Sequence, residues 1–153
     1  MFGFLFHNKR EEVRRILHGR MNRSYMQTLD NKDRHASRGA FCEVVWVIPV
    51  DRNTQRPDFS RVQTLVTRDI SANGLALIHN RPIHEQRIVV GLRDESYPRF
   101  IVCDLEHCTE LGYGHYVIGL RPDNVMRIDP DDVESMEQRL RQTEHVVEEP
   151  VSA

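Results

Sequence analysis

The pattern of hydrophobic and polar positions divides the chain into a helical start, a long middle part of short strands, and a helical end. Residues 8–27 carry four apolar side chains at the spacing that places them on one face of a helix: Val13, Ile16, Leu17 and Met21. This helix either packs on the folded domain or binds a partner or a second copy of the chain. Residues 28–40 are polar and lack periodicity, which predicts a loop.

Six short segments in the middle of the chain are rich in Val, Ile and aromatic residues and are separated by turn signals. No helical periodicity lies between them, so they predict a closed or nearly closed antiparallel barrel. The two glycines around Tyr113 predict a tight hairpin before the sixth strand. The predicted strands cover residues 41–50, 62–67, 75–78, 88–92, 100–105 and 116–120.

A second helix is predicted to begin at residues 129–132, which have the sequence Asp-Pro-Asp-Asp. Asp suits the N-cap, Pro the first helical position, and acids the first turn. Val133, Met136 and Leu140 then form an apolar stripe, so we expect this helix to plug one end of the barrel and to end near residue 143.

The length of 153 residues favours one domain with its own core and short extensions. We therefore predict a mainly β protein with an N-terminal helical extension and loop over residues 1–32. A barrel domain with its closing helix follows over residues 33–144. Residues 145–153 are acidic and contain Pro, which predicts a disordered tail.

The charge and cysteine content exclude several classes of protein. The net charge of −2 argues against binding duplex nucleic acid or a membrane by charge alone. Three cysteines form no paired framework, which indicates a reducing compartment, and no run approaches the ~20 apolar residues of a membrane span. We expect a cytoplasmic protein. Cys103, His107 and Cys108 fit no zinc spacing, so no metal is predicted.

No motif for an enzyme is present. The sequence contains no nucleophile elbow, no paired His-Glu metal motif and no phosphate-binding Walker loop, and its eight histidines are scattered. The chain is therefore predicted not to be an enzyme and to need no cofactor. A small barrel that binds single-stranded RNA would need surface aromatics for stacking, and aromatic residues make up only 7% of the chain.

Two polar clusters remain as candidate chemistry. Arg34 and Arg38 form an Arg-x-x-x-Arg pair just before the first predicted strand. With nineteen arginines in the chain, about two such pairs arise by chance, so this pair alone identifies nothing. Asp69, Ser71 and Gly74 form an Asp-x-Ser-x-x-Gly motif between the next two strands, and chance gives only roughly 0.03 of these per chain.

The order and identity of these residues resemble the PilZ domain family, which binds the bacterial second messenger cyclic di-GMP. The resemblance covers roughly residues 33–144. It includes the arginine pair, the segment Asp-Ile-Ser-Ala-Asn-Gly-Leu-Ala-Leu at residues 69–77, and the hairpin Tyr-Gly-His-Tyr-Val-Ile-Gly-Leu at residues 113–120. The family fold, a six-stranded antiparallel barrel with a helix, agrees with the strand pattern.

The resemblance implies a cyclic di-GMP receptor that signals to a downstream protein, as in motility or biofilm regulation. Arg34 and Arg38 would bind phosphate or guanine bidentately or stack on the base. Asp69 would accept from guanine N–H donors, Ser71 would donate or accept, and Gly74 would allow close backbone approach. The alternative is a degenerate PilZ module that binds only proteins and no nucleotide.

Overall fold

Each apolar stretch in the middle of the chain forms a strand, and the six strands pair antiparallel in the closed order β1-β2-β3-β6-β5-β4. The structure is a computed structural model and describes residues 11–19, 43–71, 74–93 and 97–148. The predicted barrel is therefore confirmed. Its strands are β1 (Val44–Pro49), β2 (Gln63–Ser71), β3 (Gly74–His79), β4 (Arg87–Leu92), β5 (Arg99–Gly112) and β6 (His115–Met126).

Two helices flank the barrel. The first, α1, covers residues 11–19 within the predicted range, and the rest of that range lies outside the described residues. The second, α2 (Pro130–Glu148), continues five residues beyond the predicted end at residue 143. Residues 145–148, which we predicted to belong to a disordered tail, are therefore helical, and residues 149–153 lie outside the described residues.

The two ends of the barrel differ in what they carry. The end that we call the hairpin end contains the start of β1, the β2–β3 hairpin and the start of β5. The opposite end, the far end, contains the end of β1, the start of β2 and the end of β3. A short 3-10 helix at Phe59–Arg61 precedes β2 at the far end.

The barrel interior is filled by alternate residues of the strands. Val45 and Val47 of β1 lie inside with Leu65, Leu77 and their neighbours, all almost fully buried. Paired strand residues share a face, so this alternation follows from the pleat. Each buried aliphatic side chain contributes about 1.5–3 kcal/mol to stability, so this interior cluster is the main source of stability.

The helix that packs into the interior cluster is α1. Val13 and Leu17 belong to this cluster, and Leu17 is 0% exposed. Glu12 lies 3.9 Å from Arg99 at the start of β5, which places α1 at the hairpin end. Of the two roles considered for this helix, packing on the domain therefore accounts for its apolar face.

The prediction that the C-terminal helix plugs a barrel end is wrong. Val133, Met136 and Leu140 of α2 pack instead on the outer face of β1, β4 and β5, against Trp46, Phe100 and other apolar residues. The physical reason is that these three strands are apolar on both faces, as shown by β1, in which every residue from Val45 to Pro49 is buried. The outer face then needs a cover, and α2 supplies it.

The start of α2 follows the predicted cap. The carboxylate of Asp129 accepts a hydrogen bond from the backbone N–H of Asp131 at 2.9 Å, and its carbonyl accepts one from Val133 at 3.1 Å. These bonds satisfy N–H groups that the first helical turn leaves without partners.

The hairpin between β5 and β6 turns at Tyr113 and Gly114, as predicted. Gly112 pairs with His115, and the two central residues have φ values of 56° and 75°. Positive φ at both central positions is the geometry of a type I′ turn, which favours Asn-Gly. Tyr113 is fully exposed and holds this conformation without the local hydrogen bonding that lets Asn tolerate it.

The packing of α1 is tested by Leu17→Ala, which we expect to lower the free energy of unfolding by about 2–5 kcal/mol because it opens a cavity in the interior cluster. Arg14→Ala, on the exposed face of the same helix, should change it by less than about 0.5 kcal/mol. Urea denaturation followed by far-UV circular dichroism measures both. Equal midpoints for Leu17→Ala and the unchanged chain would show that α1 is not part of the core.

The strained turn is tested by Tyr113→Asn, which should raise the free energy of unfolding by up to about 1 kcal/mol because Asn accepts positive φ. Tyr113→Val, which places a branched side chain in the same conformation, should lower it. Urea midpoints of the two variants give the comparison, and a midpoint order with Val above Asn would contradict the turn geometry.

Candidate functional site

The motif residues Asp69, Ser71 and Gly74 lie on one hairpin at the hairpin end. The predicted strands at residues 62–67 and 75–78 leave residues 68–74 as their connection, but β2 runs through Ser71, and Ser71 pairs with Gly74. Only residues 72 and 73 connect the two strands, and they lie outside the described residues. The strand extends this far because Ile70 pairs with Leu75 and both are buried in the interior cluster.

A β-bulge in β2 turns Asp69 toward solvent. Thr67 pairs with Leu77 and Asp69 pairs with Ala76, so Arg68 is one extra residue on β2. Thr67 faces inward and is 0% exposed, and strict alternation would place Asp69 on the same inner face. The extra residue reverses the alternation, as bulges commonly do near functional sites, and Asp69 is exposed on the outer face.

A second bulge does the same for His107 on β5. Leu105 pairs with Leu120, and His107 pairs with Gly119, which leaves Glu106 as the extra residue. The ring of His107 lies across Gly119, so that a Cβ on this glycine would collide with the imidazole. His107 is therefore exposed on the outer face rather than inside the barrel.

The two bulges flank one row of paired positions that crosses four strands, and we call it the outer row: Asp69, Ala76, Gly119 and His107. The two central residues are small, but the imidazole of His107 lies over Gly119, which is buried, so Ala76 is the open position between the carboxylate of Asp69 and the imidazole. The carboxylate and the imidazole on either side of this small residue offer a planar ring two hydrogen-bonding groups, and the exposed imidazole offers a face for stacking.

The carboxylate of Asp69 is accessible. Its one ion pair among the described residues is with Arg68, at a long Nε–Oδ2 distance of 3.9 Å, and the side chain is 77% exposed. An exposed pair of this kind contributes little, typically below about 1 kcal/mol, so it does not prevent the carboxylate from accepting other hydrogen bonds.

The chain enters β1 next to this hairpin. The backbone N–H of Thr67 donates to the carbonyl of Glu43 at 2.8 Å, and the N–H of Glu43 donates to the Oγ1 of Thr67 at 2.8 Å. Two hydrogen bonds therefore fix the beginning of β1 two residues from Asp69 along β2. Arg34 and Arg38, which precede this point, lie outside the described residues, so their predicted role stays a prediction.

Sequence reasoning found Asp69 but not His107. In the sequence, His107 stands out only through its closeness to Cys103 and Cys108, and the spacing of these three residues fits no zinc pattern. Cys103 and Cys108 pack against the interior cluster and His107 lies outside, and no metal-binding group occurs among the described residues. Burial, followed by the nearby Asp104, raises the pKa of Cys103, which keeps this thiol protonated.

Comparison with protein-family models, with curated proteins and with solved structures finds no match for this chain. Within the described ranges, no helix combines the length and the apolar character that crossing a membrane requires. A functional proposal therefore rests on the chemistry of the outer row and of the β2–β3 hairpin.

The hydrogen bonds at the start of β1 are tested by Thr67→Val, which removes the acceptor for the Glu43 amide while keeping the side-chain shape. We expect the free energy of unfolding to fall by about 1–3 kcal/mol and exchange of the Glu43 amide to accelerate. Thr67→Ser keeps the hydroxyl and should retain slow exchange. Hydrogen exchange followed by NMR compares the two, and equal protection in both variants would contradict the assigned hydrogen bond.

Proposed function

We propose that this chain is a non-enzymatic bacterial receptor for cyclic di-GMP that acts in the manner of PilZ domains. The observation that carries the proposal is the Asp-x-Ser-x-x-Gly motif, which falls on one hairpin of a closed six-stranded barrel with the carboxylate of Asp69 exposed. The ligand is held between this hairpin and the segment that contains Arg34 and Arg38.

In the proposed site, the residues of the β2–β3 hairpin recognise the guanine base. A carboxylate matches the adjacent N–H donors of guanine with two acceptor oxygens, which is the role of Asp69. The small side chain of Ala76 leaves room for the flat base beside Asp69, and the imidazole of His107, which covers Gly119, bounds it on the other side. His107 is thus an addition to the site residues expected from the motif.

The arginine side of the proposed site is joined to the hairpin through Glu43. Arg38 precedes Glu43 by five residues, so a stretch of chain of at most roughly 18 Å links it to the point where Thr67 holds β1. A long arginine side chain at that distance can reach the outer face beside Asp69. Guanidinium groups bind phosphate and the guanine edge bidentately, so Arg34 and Arg38 supply most of the affinity.

The proposed signal passes through α1. Residues 20–42 connect α1 to β1, and α1 packs at the hairpin end, where the ligand is proposed to bind. Ligand binding fixes the position of the segment that contains Arg34 and Arg38, and this changes the constraint on the connection to α1. The equilibrium between α1 packed on the barrel and α1 released from it then shifts. A downstream protein in the bacterial cytoplasm then recognises the altered helix, which links the receptor to motility or biofilm regulation.

Isothermal titration calorimetry with cyclic di-GMP tests the proposal. We expect binding to the unchanged chain and a loss of about 10- to 100-fold in affinity for Arg34→Ala, Arg38→Ala and Asp69→Ala, since each removes charge-assisted hydrogen bonds. The matched control is Arg52→Ala with Arg56→Ala, an arginine pair of the same spacing in the exposed loop at the far end. This control should bind like the unchanged chain.

The alternative is a PilZ-like module that contacts only proteins, and one observation favours it. Leu111 and Tyr113 are exposed at the tip of the β5–β6 hairpin, which suits a protein contact. Absence of heat at low salt, with the chain folded by circular dichroism, would select this alternative. Equal affinity of the Asp69→Ala variant and the unchanged chain would reject the proposed position of the ligand.

A further inference from the structure

A pocket of about 290 Å³ opens at the far end of the barrel, opposite the proposed nucleotide site. Its floor consists of Val47, Ile83 and Ile88, which are 1%, 6% and 0% exposed and belong to the interior cluster. The pocket is therefore the open end of the barrel core, at the end that α1 does not cover. Its volume lies close to the lower limit of small-molecule pockets, roughly 300 Å³.

Along two strands, the inward-facing residues are apolar in the barrel interior and become polar where the strand reaches this pocket. On β2, the inward residue Leu65 is followed toward the far end by Gln63, which pairs with inward-facing Val47. On β3, the inward residue Leu77 is followed by His79, again two positions along the strand. Both polar side chains are half-buried and line the pocket, and neither has a side-chain hydrogen bond within the described ranges.

The rim of the pocket carries more positive than negative charge. Arg61 and Glu85 form an ion pair at 2.8 Å, which neutralises both. Burial opposes ionisation of Glu85, but hydrogen bonds from the backbone and from Arg61 outweigh it and lower the pKa of this carboxyl. Arg81 also lines the pocket and makes no ion pair with any residue that the structure describes, so none of these residues neutralises its positive charge.

His79 contributes an uncharged polar side chain to the lining of the pocket. Burial, followed by the positive charge of Arg81, lowers the pKa of its imidazole, so the neutral ring dominates at pH 7. A neutral imidazole has one N–H donor, and the side chain of Gln63, on the neighbouring strand β2, offers an amide donor. The pocket thus combines one unpaired guanidinium, two neutral donors and an apolar floor.

We propose that this far-end pocket binds a small organic anion, a carboxylate or phosphate monoester with a compact apolar body. The anionic group lies on Arg81 and accepts hydrogen bonds from His79 and Gln63, and the apolar body lies on Val47, Ile83 and Ile88. The site is independent of the nucleotide site, which lies at the opposite end of the barrel.

NMR titration of the methyl resonances of Val47, Ile83 and Ile88 tests the site with phenyl phosphate and benzoate as probes. We expect saturable shifts confined to the far end with both probes. Arg81→Gln should weaken binding about tenfold or more, because a charge-assisted hydrogen bond is lost. Arg56→Gln, an exposed arginine of the same end that does not line the pocket, should bind like the unchanged chain.

Three further measurements make the outcome decisive. His79→Leu continues the apolar row of Leu77, so it should fold and should weaken both probes. Benzyl alcohol, which lacks the charge, and inorganic phosphate, which lacks the apolar body, should each bind at least tenfold more weakly than phenyl phosphate. Equal binding of either one, no shifts at millimolar probe, or equal binding by Arg81→Gln would overturn the proposal.

The Asp69→Ala variant separates this proposal from the nucleotide proposal. It should bind phenyl phosphate with unchanged affinity, whatever its behaviour with cyclic di-GMP. Loss of phenyl phosphate binding in Asp69→Ala would show that the probe occupies the hairpin end, and the far-end site would then be rejected.

Discussion

The burial of β1 on both of its faces is the constraint on which the arrangement of the molecule depends. Val45 and Val47 face the barrel interior, while Trp46 and Ile48 face outward and are equally buried. Most strands of a barrel bury one face and leave the other to water. Here the outer faces of β1, β4 and β5 are apolar and must be covered as well. Because α2 covers them, it does not close a barrel end, and α1 packs at the hairpin end instead.

The proposed site lies on β2, β3 and the middle of β6, which are free of this constraint, and on His107 from the later part of β5. The outer faces of β2 and β3 are not covered by α2, so polar residues there, such as Arg68 and Asp69, meet solvent. Two bulges place Asp69 and His107 on the outer surface, on either side of the small residue Ala76, and the imidazole of His107 covers Gly119. A binding surface on a rigid sheet is held more accurately than one on loops alone.

The sequence predicted the elements well because their signals are local. The six strands, the position of the β5–β6 hairpin and the cap at Asp129 each depend on a few neighbouring residues. The positions of the helices could not be predicted in the same way. Val13 with Leu17 and Val133 with Met136 form similar apolar stripes, and neither stripe indicates which surface of the folded barrel it will cover.

Only part of the candidate site could be predicted from the sequence. Asp69, Ser71 and Gly74 were found from their spacing, although the expected turn was longer than the observed connection. His107 could not be found, because its outward position depends on the bulge at Glu106, and no glycine beside Glu106 marks that bulge in the sequence. The far-end pocket was hidden for a related reason, since Gln63 and His79 look like ordinary strand-end residues until the barrel closes around them.

Trp46 is the one tryptophan of the chain, and its surroundings give the protein an internal optical probe. The indole is 2% exposed, lies beneath α2 beside Phe100 at a ring distance of 6.1 Å, and is approached by the guanidinium of Arg93 at 5.9 Å. Its N–H has no hydrogen-bond partner among the described residues. Water reaching this nitrogen would shift the emission to longer wavelength, so the colour of one chromophore reports whether the C-terminal helix stays on the barrel.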